Sequence, residues 1–286
     1  MRLRNTRSSR NVVDQRRAGR RRGAGRTVGA TGGLGLLAIV AIGYFLGVDL
    51  TPLLDQQGAP RQQTTGGQGP LSPEEQQAGE FAARVLATTE DIWADIFPAA
   101  FGQPYRAPAL VLFSEATQSG CGGAQAATGP FYCPADRRAY LDTAFFAYLS
   151  RQLGAGGDFA AAYVIAHEVA HGVQDQLGIL SEANRQRAAA SPTRSNGISV
   201  MIELQADCLS GVWASRLGDV LEPGDLDEAL NAAERIGDDY LQARAGRAVN
   251  PHTFTHGTSD QRRRWFTTGY ETGDPNACDT FGAARL

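Results

Sequence analysis

The sequence contains no lysine, so all 27 of its basic residues are arginines. Arginine, alanine and glycine are all abundant, which indicates a bias of genomic base composition rather than a function. Ten arginines lie in the first 26 residues beside a single acid; because the whole chain has a net charge of −3, the remaining 260 residues carry −12. An acidic domain of this kind argues against nucleic acid or anionic lipid as its ligand.

Charged residues are also absent from positions 28–48, which are rich in glycine, leucine and isoleucine. This length is sufficient to cross a bilayer, so the pattern predicts a transmembrane helix at 28–48. The arginines before it predict a disordered, basic cytoplasmic tail at 1–27 by the positive-inside rule. The alternatives are a cleaved signal peptide and a buried helix of a soluble fold. We therefore expect a single-pass protein of the cell membrane, with the rest of the chain outside the cytoplasm.

The remainder of the chain predicts a linker followed by one domain. Residues 49–70 are mostly polar or glycine and predict a flexible linker, whereas 71–286 is long enough for a single core. Ser72 and Pro73 predict the start of a helix that ends at Pro98. Apolar patterns predict a short strand at 109–113, one or two more within 129–133 and 139–141, and helices at 142–153 and 225–242. The predicted fold class is α+β, mainly helical, with a small sheet.

Histidine is scarce, with four residues in the chain, yet His167 and His171 lie four positions apart. Asp158 as N-cap and an apolar pattern up to Leu177 place them on one predicted helix. Residues four apart project from the same face of a helix, so both imidazoles can bind one metal ion. Glu168 lies beside that face and completes the H-E-x-x-H arrangement of zinc hydrolases, in which the glutamate is the general base. The alternative is two surface histidines on an amphipathic helix.

A catalytic zinc ion requires a third protein ligand and keeps a fourth position for water. The apolar helix predicted at 198–217 presents Glu203 and Asp207 four residues apart, on one face. We predict Glu203 as the third ligand. Asp207 then suits the role of accepting the free N–H of a histidine ligand, which fixes the tautomer of that histidine. A solvated polar stripe is the alternative for both acids.

The two other histidines, His252 and His256, lie in one loop. Hydrolysis by an activated water builds a negative tetrahedral intermediate, which requires a hydrogen-bond donor besides the metal. We predict His256 as this donor and His252 as the second candidate, with Tyr163 and Tyr240 as weaker ones. The alternative is that His256 is a loop residue whose hydrogen bonds are all made with the backbone.

The four cysteines are Cys121, Cys133, Cys208 and Cys278, and they allow three disulfide pairings. The short segment between Cys121 and Cys133 favours that pair, which leaves Cys208 for Cys278. An extracytoplasmic location would permit disulfides. A metal site made of cysteines is the alternative, although no C-x-x-C spacing supports it. The sequence does not decide between the pairings.

Several separated motifs together resemble the neutral zinc metallopeptidase (YpfJ-like) family of bacterial membrane-anchored proteins. They are the HEVAH motif at 167–171, the ELQADC motif at 203–208 with GVWA at 211–214, and the FTHGTS loop at 254–259. The resemblance implies a gluzincin-type, zincin-like metallopeptidase domain that holds Zn²⁺ through His167, His171 and Glu203. It further implies that an edge strand within 131–141 pairs with a peptide or protein substrate, although plain core strands are the alternative there.

The predicted function is therefore that of a membrane-anchored, zinc-dependent peptidase with no nucleic-acid partner. One alternative is a zinc hydrolase that acts on non-peptide amides or esters. Another is a membrane-tethered binding or assembly factor with a non-catalytic zinc ion. Glu168 argues against the second alternative, because a structural zinc site does not require a general base. The physiological substrate and the oligomeric state do not follow from the sequence.

Overall fold

The computed structural model describes residues 1–17, 70–125 and 128–286, which form mainly helices and a small sheet, as predicted. The strands are β1 (Val12–Asp14), β2 (Ala109–Phe113), β3 (Ala116–Ser119), β4 (Gly122–Gln125), β5 (Phe131–Cys133) and β6 (Arg138–Asp142). The helices are α1 (Pro73–Phe101), α2 (Ala144–Arg151), α3 (Asp158–Gln176), α4 (Ile179–Ala188), α5 (Pro192–Ser215), α6 (Asp225–Arg235), α7 (Asp238–Arg244) and α8 (Ser259–Thr272). Short 3-10 turns lie at Gly218–Val220, Pro251–Thr253 and Pro275–Cys278.

The main sheet has the strand order β1-β2-β6-β5. β2 is parallel to both β1 and β6, whereas β5 is antiparallel to β6. The side chains of β2 and β6 are mostly buried, which is what their apolar runs predict for central strands. β5 lies at one edge of this sheet, close to α3, while β3 and β4 form a separate antiparallel hairpin.

Residues 1–17 belong to the folded domain, so the prediction of a disordered tail is wrong for them. Val13 of β1 lies opposite Val111 of β2 in a parallel pair. Glu90 of α1 accepts hydrogen bonds from Ser9 Oγ at 2.6 Å and from Arg7 Nη2 at 2.7 Å. The arginine content suggested disorder, but acids of α1, far away in the sequence, provide the partners that order this segment.

The predicted single-pass topology, and with it the membrane localisation, is corrected by the same contacts. A single span at 28–48 would place residues 1–17 and the rest of the chain on opposite sides of a bilayer, whereas β1 and β2 share one sheet. Within 1–17, 70–125 and 128–286, none of the helices combines the length and the apolar character that crossing a membrane requires. The predicted helix at 28–48 and the predicted linker up to residue 69 lie outside the described residues.

Two helix boundaries differ from the prediction. α1 does not end at Pro98 but continues to Phe101. Pro98 lacks a backbone N–H, but its carbonyl still accepts a hydrogen bond from Gly102 N at 3.0 Å. α5 begins at Pro192, before the predicted start at residue 198, since a proline suits the first position of a helix. Both differences lie away from the predicted site residues.

α3 is almost entirely buried, and its start depends on a contact with α6. Gly157 is the N-cap residue with φ of 113°, and Asp158, which was predicted as N-cap, is the first helical residue. Glu228 of α6 accepts a hydrogen bond from Phe159 N at 2.9 Å and so satisfies one free N–H of the helix end. Phe159 in turn stacks on Trp213 of α5, with ring centroids 5.7 Å apart. These contacts fix α3 against α5.

Two glycines allow α5 and α8 to approach within backbone contact. A Cβ atom on Gly269 of α8 would lie 1.8 Å from the carbonyl oxygen of Cys208. A Cβ atom on Gly211 of α5 would lie 2.0 Å from the carbonyl oxygen of Phe266. Side chains at either position would therefore force the two helices apart, and with them the residues that both helices contribute to the site.

Both disulfides that the sequence favoured are present. Cys121 bonds to Cys133 and so joins the β3–β4 hairpin to β5. Cys208 bonds to Cys278, which ties the C-terminal 3-10 turn to α5. Gln205 Nε2 also donates a hydrogen bond to the carbonyl of Cys278 at 3.0 Å. The C-terminal segment is thus attached to the helix that carries Glu203.

Candidate metal centre and catalytic site

The three predicted metal ligands converge. His167 and His171 project from one face of α3 with ring centroids 4.8 Å apart, and Glu203 of α5 lies opposite them. Glu203 Oε2 is 3.0 Å from His167 Nε2, and Glu203 Oε1 is 3.6 Å from His171 Nε2. One donor atom from each residue lies within 4.8 Å of the other two, so all three can bind one ion. Two imidazoles and one carboxylate form a donor set that zinc accepts in catalytic sites.

The electrostatics of this cluster favour a cation at its centre. Burial alone would disfavour the imidazolium of His167, but hydrogen bonds to Asp207 and Glu203 raise its pKa to about 10. Burial likewise disfavours the charged form of Glu203, yet the neighbouring His171 and His167 hold its pKa well below the usual value. Both shifts indicate that positive charge beside His167 and Glu203 is stabilised, whereas burial lowers the pKa of His171 and favours its neutral imidazole, the form that binds a metal. This arrangement suits a divalent ion.

Asp207 lies where the sequence predicted it, behind the first histidine. Its Oδ1 is 2.9 Å from His167 Nδ1, which leaves Nε2 of that ring facing Glu203. The same oxygen accepts a hydrogen bond from Tyr163 OH at 2.5 Å. Arg262 of α8 donates to both carboxylate oxygens, from Nε at 2.8 Å and from Nη2 at 2.9 Å. All four residues are buried, so the histidine is oriented by a fully enclosed polar cluster.

Replacing Asp207 by Asn is expected to lower the free energy of unfolding by about 3 kcal/mol, because the guanidinium of Arg262 would stay buried without its carboxylate. Urea unfolding of the purified full chain measures the change. The double variant Asp207→Asn with Arg262→Met serves as control and should be more stable than Asp207→Asn alone, since it removes the unpaired charge. A double variant less stable than the single one would contradict this account.

His171 is oriented by a residue that the sequence did not suggest. Its Nδ1 is 2.8 Å from Oε1 of Gln174, one turn further along α3. The Gln174 amide donates in turn to the carbonyl of Ile202 at 2.8 Å and to Gln205 Oε1 at 2.9 Å. The spacing of three residues on a helix is the signal that could have indicated this pair.

Glu168 is buried, and its Oε2 atom has no hydrogen-bond partner among the described residues. Burial raises the pKa of this carboxyl to about 7. Buried carboxylate oxygens are normally hydrogen-bonded, and an exception requires an explanation. A water molecule held between Glu168 and a metal ion would provide that partner. The orphaned oxygen therefore fits a metal site of the catalytic kind.

His256 lies in the loop before α8 and is half-buried. Asp238 holds this loop, because its Oδ2 accepts hydrogen bonds from the backbone N–H groups of Thr255, His256 and Gly257 at 2.7, 2.6 and 3.0 Å. Its Oδ1 is 3.2 Å from His256 Nδ1. Burial lowers the pKa of His256, but the hydrogen bond to Asp238 together with the charges of Glu203 and Asp238 raises the pKa above its ordinary value. The charge of His256 also contributes to the lowered pKa of Glu203, so this imidazole acts electrostatically on the candidate metal cluster.

The position of Asp238 explains one further difference from the predicted fold. The helix predicted at 225–242 is divided into α6 and α7 by Ile236 and Gly237. The N–H of Asp238 donates to the carbonyl of Gly257 at 2.9 Å instead of continuing the helix. A Cβ atom on Gly237 would lie 2.5 Å from Ser259 N, so this break requires a glycine. The break brings the Asp238 carboxylate to the loop that bears His256.

The other predicted donors lie elsewhere. His252 is exposed in a 3-10 turn, where its carbonyl accepts a hydrogen bond from Asn196 Nδ2 at 2.9 Å. Tyr163 is buried behind His167 with its hydroxyl on Asp207. The hydroxyl of Tyr240 accepts a hydrogen bond from Arg235 Nη1 at 2.7 Å. Among the candidates, His256 is the one whose charge acts on both Glu168 and Glu203 while its side chain is not held on Asp207.

β5 forms the edge of the sheet close to α3, which is called the metal helix below because it carries the candidate ligands His167 and His171. β6 is paired on both sides, so its residues cannot add a further strand, and the predicted substrate edge at 131–141 is reduced to β5. Phe131 stacks on Tyr140 with ring centroids 4.8 Å apart, which stiffens this short strand. Within the part of the chain that the structure describes, no strand pairs with the outer side of β5, as strand addition requires.

The fold and the donor set define the class: a zincin-like α+β metallopeptidase domain with the sheet edge beside the active-site helix. The chain belongs to the family described as Putative neutral zinc metallopeptidase, whose model matches residues 1–281. It is 46% identical over 288 residues to the uncharacterized protein YpfJ of Escherichia coli K12, with 99% of each chain covered. It is 45% identical over 219 residues to the uncharacterized protein Mb2605 of Mycobacterium bovis, with 71% of each covered. No solved structure matches the chain significantly.

Proposed function

We propose that this protein is a zinc-dependent peptidase that hydrolyses peptide bonds with Glu168 as general base. The convergence of His167, His171 and Glu203 beside the unsatisfied Oε2 of Glu168 carries the proposal. These three residues would hold the metal. When bound, a zinc ion would polarise the scissile carbonyl and lower the pKa of a coordinated water toward about 7. Membership of a metallopeptidase family supports zinc as the ion.

Glu168 would move the proton. Its carboxylate accepts a proton from the attacking water and then donates it to the amine of the leaving peptide. The pKa of about 7, raised by burial, allows this group both to accept and to release a proton near neutral pH. The absence of a competing hydrogen bond from the described residues leaves Oε2 available for the water.

His256 would stabilise the negative charge that develops on the carbonyl oxygen when the water attacks. Its pKa is raised by Asp238, which favours the imidazolium and therefore a strong hydrogen-bond donor. Asp238 also fixes the backbone on both sides of His256, so the donor is preorganised. Asp207 would keep His167 oriented throughout the reaction.

The decisive test is peptide-library cleavage by the zinc-loaded full chain, read by mass spectrometry, beside its Glu203→Ala variant. We expect the wild type to cleave and to bind one zinc ion per chain. The zinc affinity of Glu203→Ala should be at least about a hundredfold lower, because two imidazoles alone do not complete a catalytic zinc site. Cleavage should be lost together with the zinc. Metal analysis after gel filtration gives the zinc stoichiometry.

The exposed acid Glu271, changed to Ala, is the matched control and should leave zinc and cleavage unchanged. Full zinc occupancy in Glu203→Ala would exclude Glu203 as a ligand. Zinc-dependent hydrolysis of small amides or esters without any peptide cleavage would favour the hydrolase of non-peptide amides. A protein that binds zinc and unfolds on chelation, but hydrolyses none of these substrates, would favour a non-catalytic binding or assembly factor.

A further inference from the structure

A cavity of about 330 Å³ lies between the metal helix and the edge of the sheet. Gly172, the residue after the metal ligand His171, forms part of its wall, and so does Asp175 one turn further on. Asp175 lies four residues after His171, and residues four apart share a helix face. The cavity therefore lies about 6 Å from His171 along the axis of α3. Tyr132 of the edge strand β5 lines the opposite wall.

Two contacts join the walls of this cavity closely. Tyr132 OH donates a hydrogen bond to Asp175 Oδ2 at 2.9 Å, so the edge strand is attached directly to the metal helix. A Cβ atom on Gly172 would lie 3.3 Å from the Tyr132 ring and 3.2 Å from Pro108, which leaves little room for a side chain. The glycine therefore permits the close approach of strand and helix at this point.

A loop before β2 completes the cavity and is held in place by Gln176 of α3. The Gln176 side chain accepts a hydrogen bond from Arg106 N at 3.0 Å and donates one to the carbonyl of Pro104 at 2.7 Å. These two bonds fix the backbone from which the Arg106 side chain extends. The loop is thus positioned before any ligand binds, which reduces the entropic cost of binding.

Two arginines, Arg106 and Arg137, line the cavity and are exposed to solvent. Neither guanidinium forms a hydrogen bond or an ion pair with a described residue. The neighbouring Asp136 is not part of the lining: its Oδ2 accepts hydrogen bonds from Tyr140 OH at 2.6 Å and Gly120 N at 2.7 Å, and its buried Oδ1 has no hydrogen-bond partner among the described residues. Among the lining residues, Asp175 is acidic and the two arginines are basic, so the lining of the cavity has a net positive charge.

We propose that this cavity is a substrate subsite that binds a carboxylate through Arg106 and Arg137, so that the peptidase prefers acidic peptides. The inference rests on the proposed function and adds its substrate class. An extended peptide advances about 3.3 Å per residue, so a side chain in the cavity belongs to a residue about two positions from the cleaved bond. The carboxylate is that of an aspartate or glutamate side chain or of the peptide C-terminus, and both present the planar group that arginine binds.

The test uses the zinc-loaded full chain and a series of peptides in which a single glutamate is moved through the positions around the cleaved bond of an all-glutamine parent. Each peptide is made as a free acid and as a C-terminal amide. We expect kcat/KM to be about tenfold higher for the peptide with glutamate at the matching position. If the C-terminal carboxylate is the ligand, amidation of a peptide of matching length should cause the same loss. The preference should decline as salt is increased.

The variant Arg106→Gln with Arg137→Gln should cleave the glutamate and glutamine peptides equally well. Arg151→Gln with Arg187→Gln, two exposed arginines outside the cavity, is the matched control and should keep the preference. A preference that survives loss of Arg106 and Arg137, or equal cleavage of all peptides by the wild type, would overturn the subsite.

Binding separates failure of the subsite from failure of the proposed function. Fluorescence anisotropy with the zinc-loaded Glu168→Gln protein measures the affinity of labelled glutamate and glutamine peptides without turnover. A difference of about tenfold that disappears with Arg106→Gln and Arg137→Gln supports the subsite, whether or not the wild type cleaves. Equal affinities of the two peptides overturn it, whereas absence of Glu168-dependent cleavage counts only against the proposed function.

Discussion

Replacing Glu168 by Gln is expected to reduce peptide hydrolysis about a thousandfold or more while the protein keeps one zinc ion per chain. Glutamine has nearly the same shape but cannot accept the proton of the attacking water. The proposed ligands His167, His171 and Glu203 do not include this residue, so metal affinity should change little. Measurement of kcat/KM together with metal analysis of the same preparation checks both parts of the expectation.

Glu168→Asp is a useful companion, because it retains a carboxylate that is set back by one methylene group. We expect it to restore part of the lost activity, whereas glutamine should not. Unchanged turnover in Glu168→Gln would remove this residue as general base. Loss of zinc from that variant would instead indicate that Glu168 contributes to binding the metal.

Replacing Gly269 by Ala is expected to lower the free energy of unfolding by about 4 kcal/mol or more, or to prevent folding altogether. The added methyl group would lie 1.8 Å from the carbonyl oxygen of Cys208, a backbone atom that cannot move unless α5 and α8 separate. Gly211→Ala should have a similar effect for the same reason, on the other side of the crossing. Thermal and urea unfolding, followed by circular dichroism, measure the loss.

Gly197→Ala is the matched control, because Gly197 lies in α5, as Gly211 does, and a Cβ atom on Gly197 would have no neighbour within 4 Å. The substitution should stabilise the protein by about 0.5 to 1 kcal/mol, as expected when alanine replaces glycine in an open helical position. If Gly269→Ala behaved like Gly197→Ala, the close approach of α5 and α8 would not exist in solution.

The candidate metal cluster could be proposed from the sequence because much of its arrangement is local. His167 and His171 share a helix face by spacing alone, and the acids of α5 stand out within an apolar helix. The position of Glu203 opposite the histidines depends on how α3 and α5 cross, which no local pattern indicates. The choice of Glu203 rested on the need of an H-E-x-x-H site for a third ligand and on the acid pair of α5. The helical fold class follows from the same periodicity.

Residues that act across long sequence separations were missed. Arg262 reaches Asp207 from α8, and Asp238 reaches the loop of His256 from a break between two helices; neither is marked by a local motif. The N-terminal error has the same origin, since composition indicated disorder and only the partners on α1 and β2 show otherwise. Composition describes what a segment can do alone, whereas its structure depends on which distant surface accepts it.

The N-terminal strand also has a protective role for solubility. β2 consists of the apolar run Ala-Leu-Val-Leu-Phe, and β1 covers one of its two hydrogen-bonding sides. Without β1, that side would be an open edge with high β-propensity and no charge, which is the kind of segment that pairs with other chains and aggregates. A fragment that begins near residue 71 would therefore retain every residue of the candidate site and yet expose an edge that favours self-association.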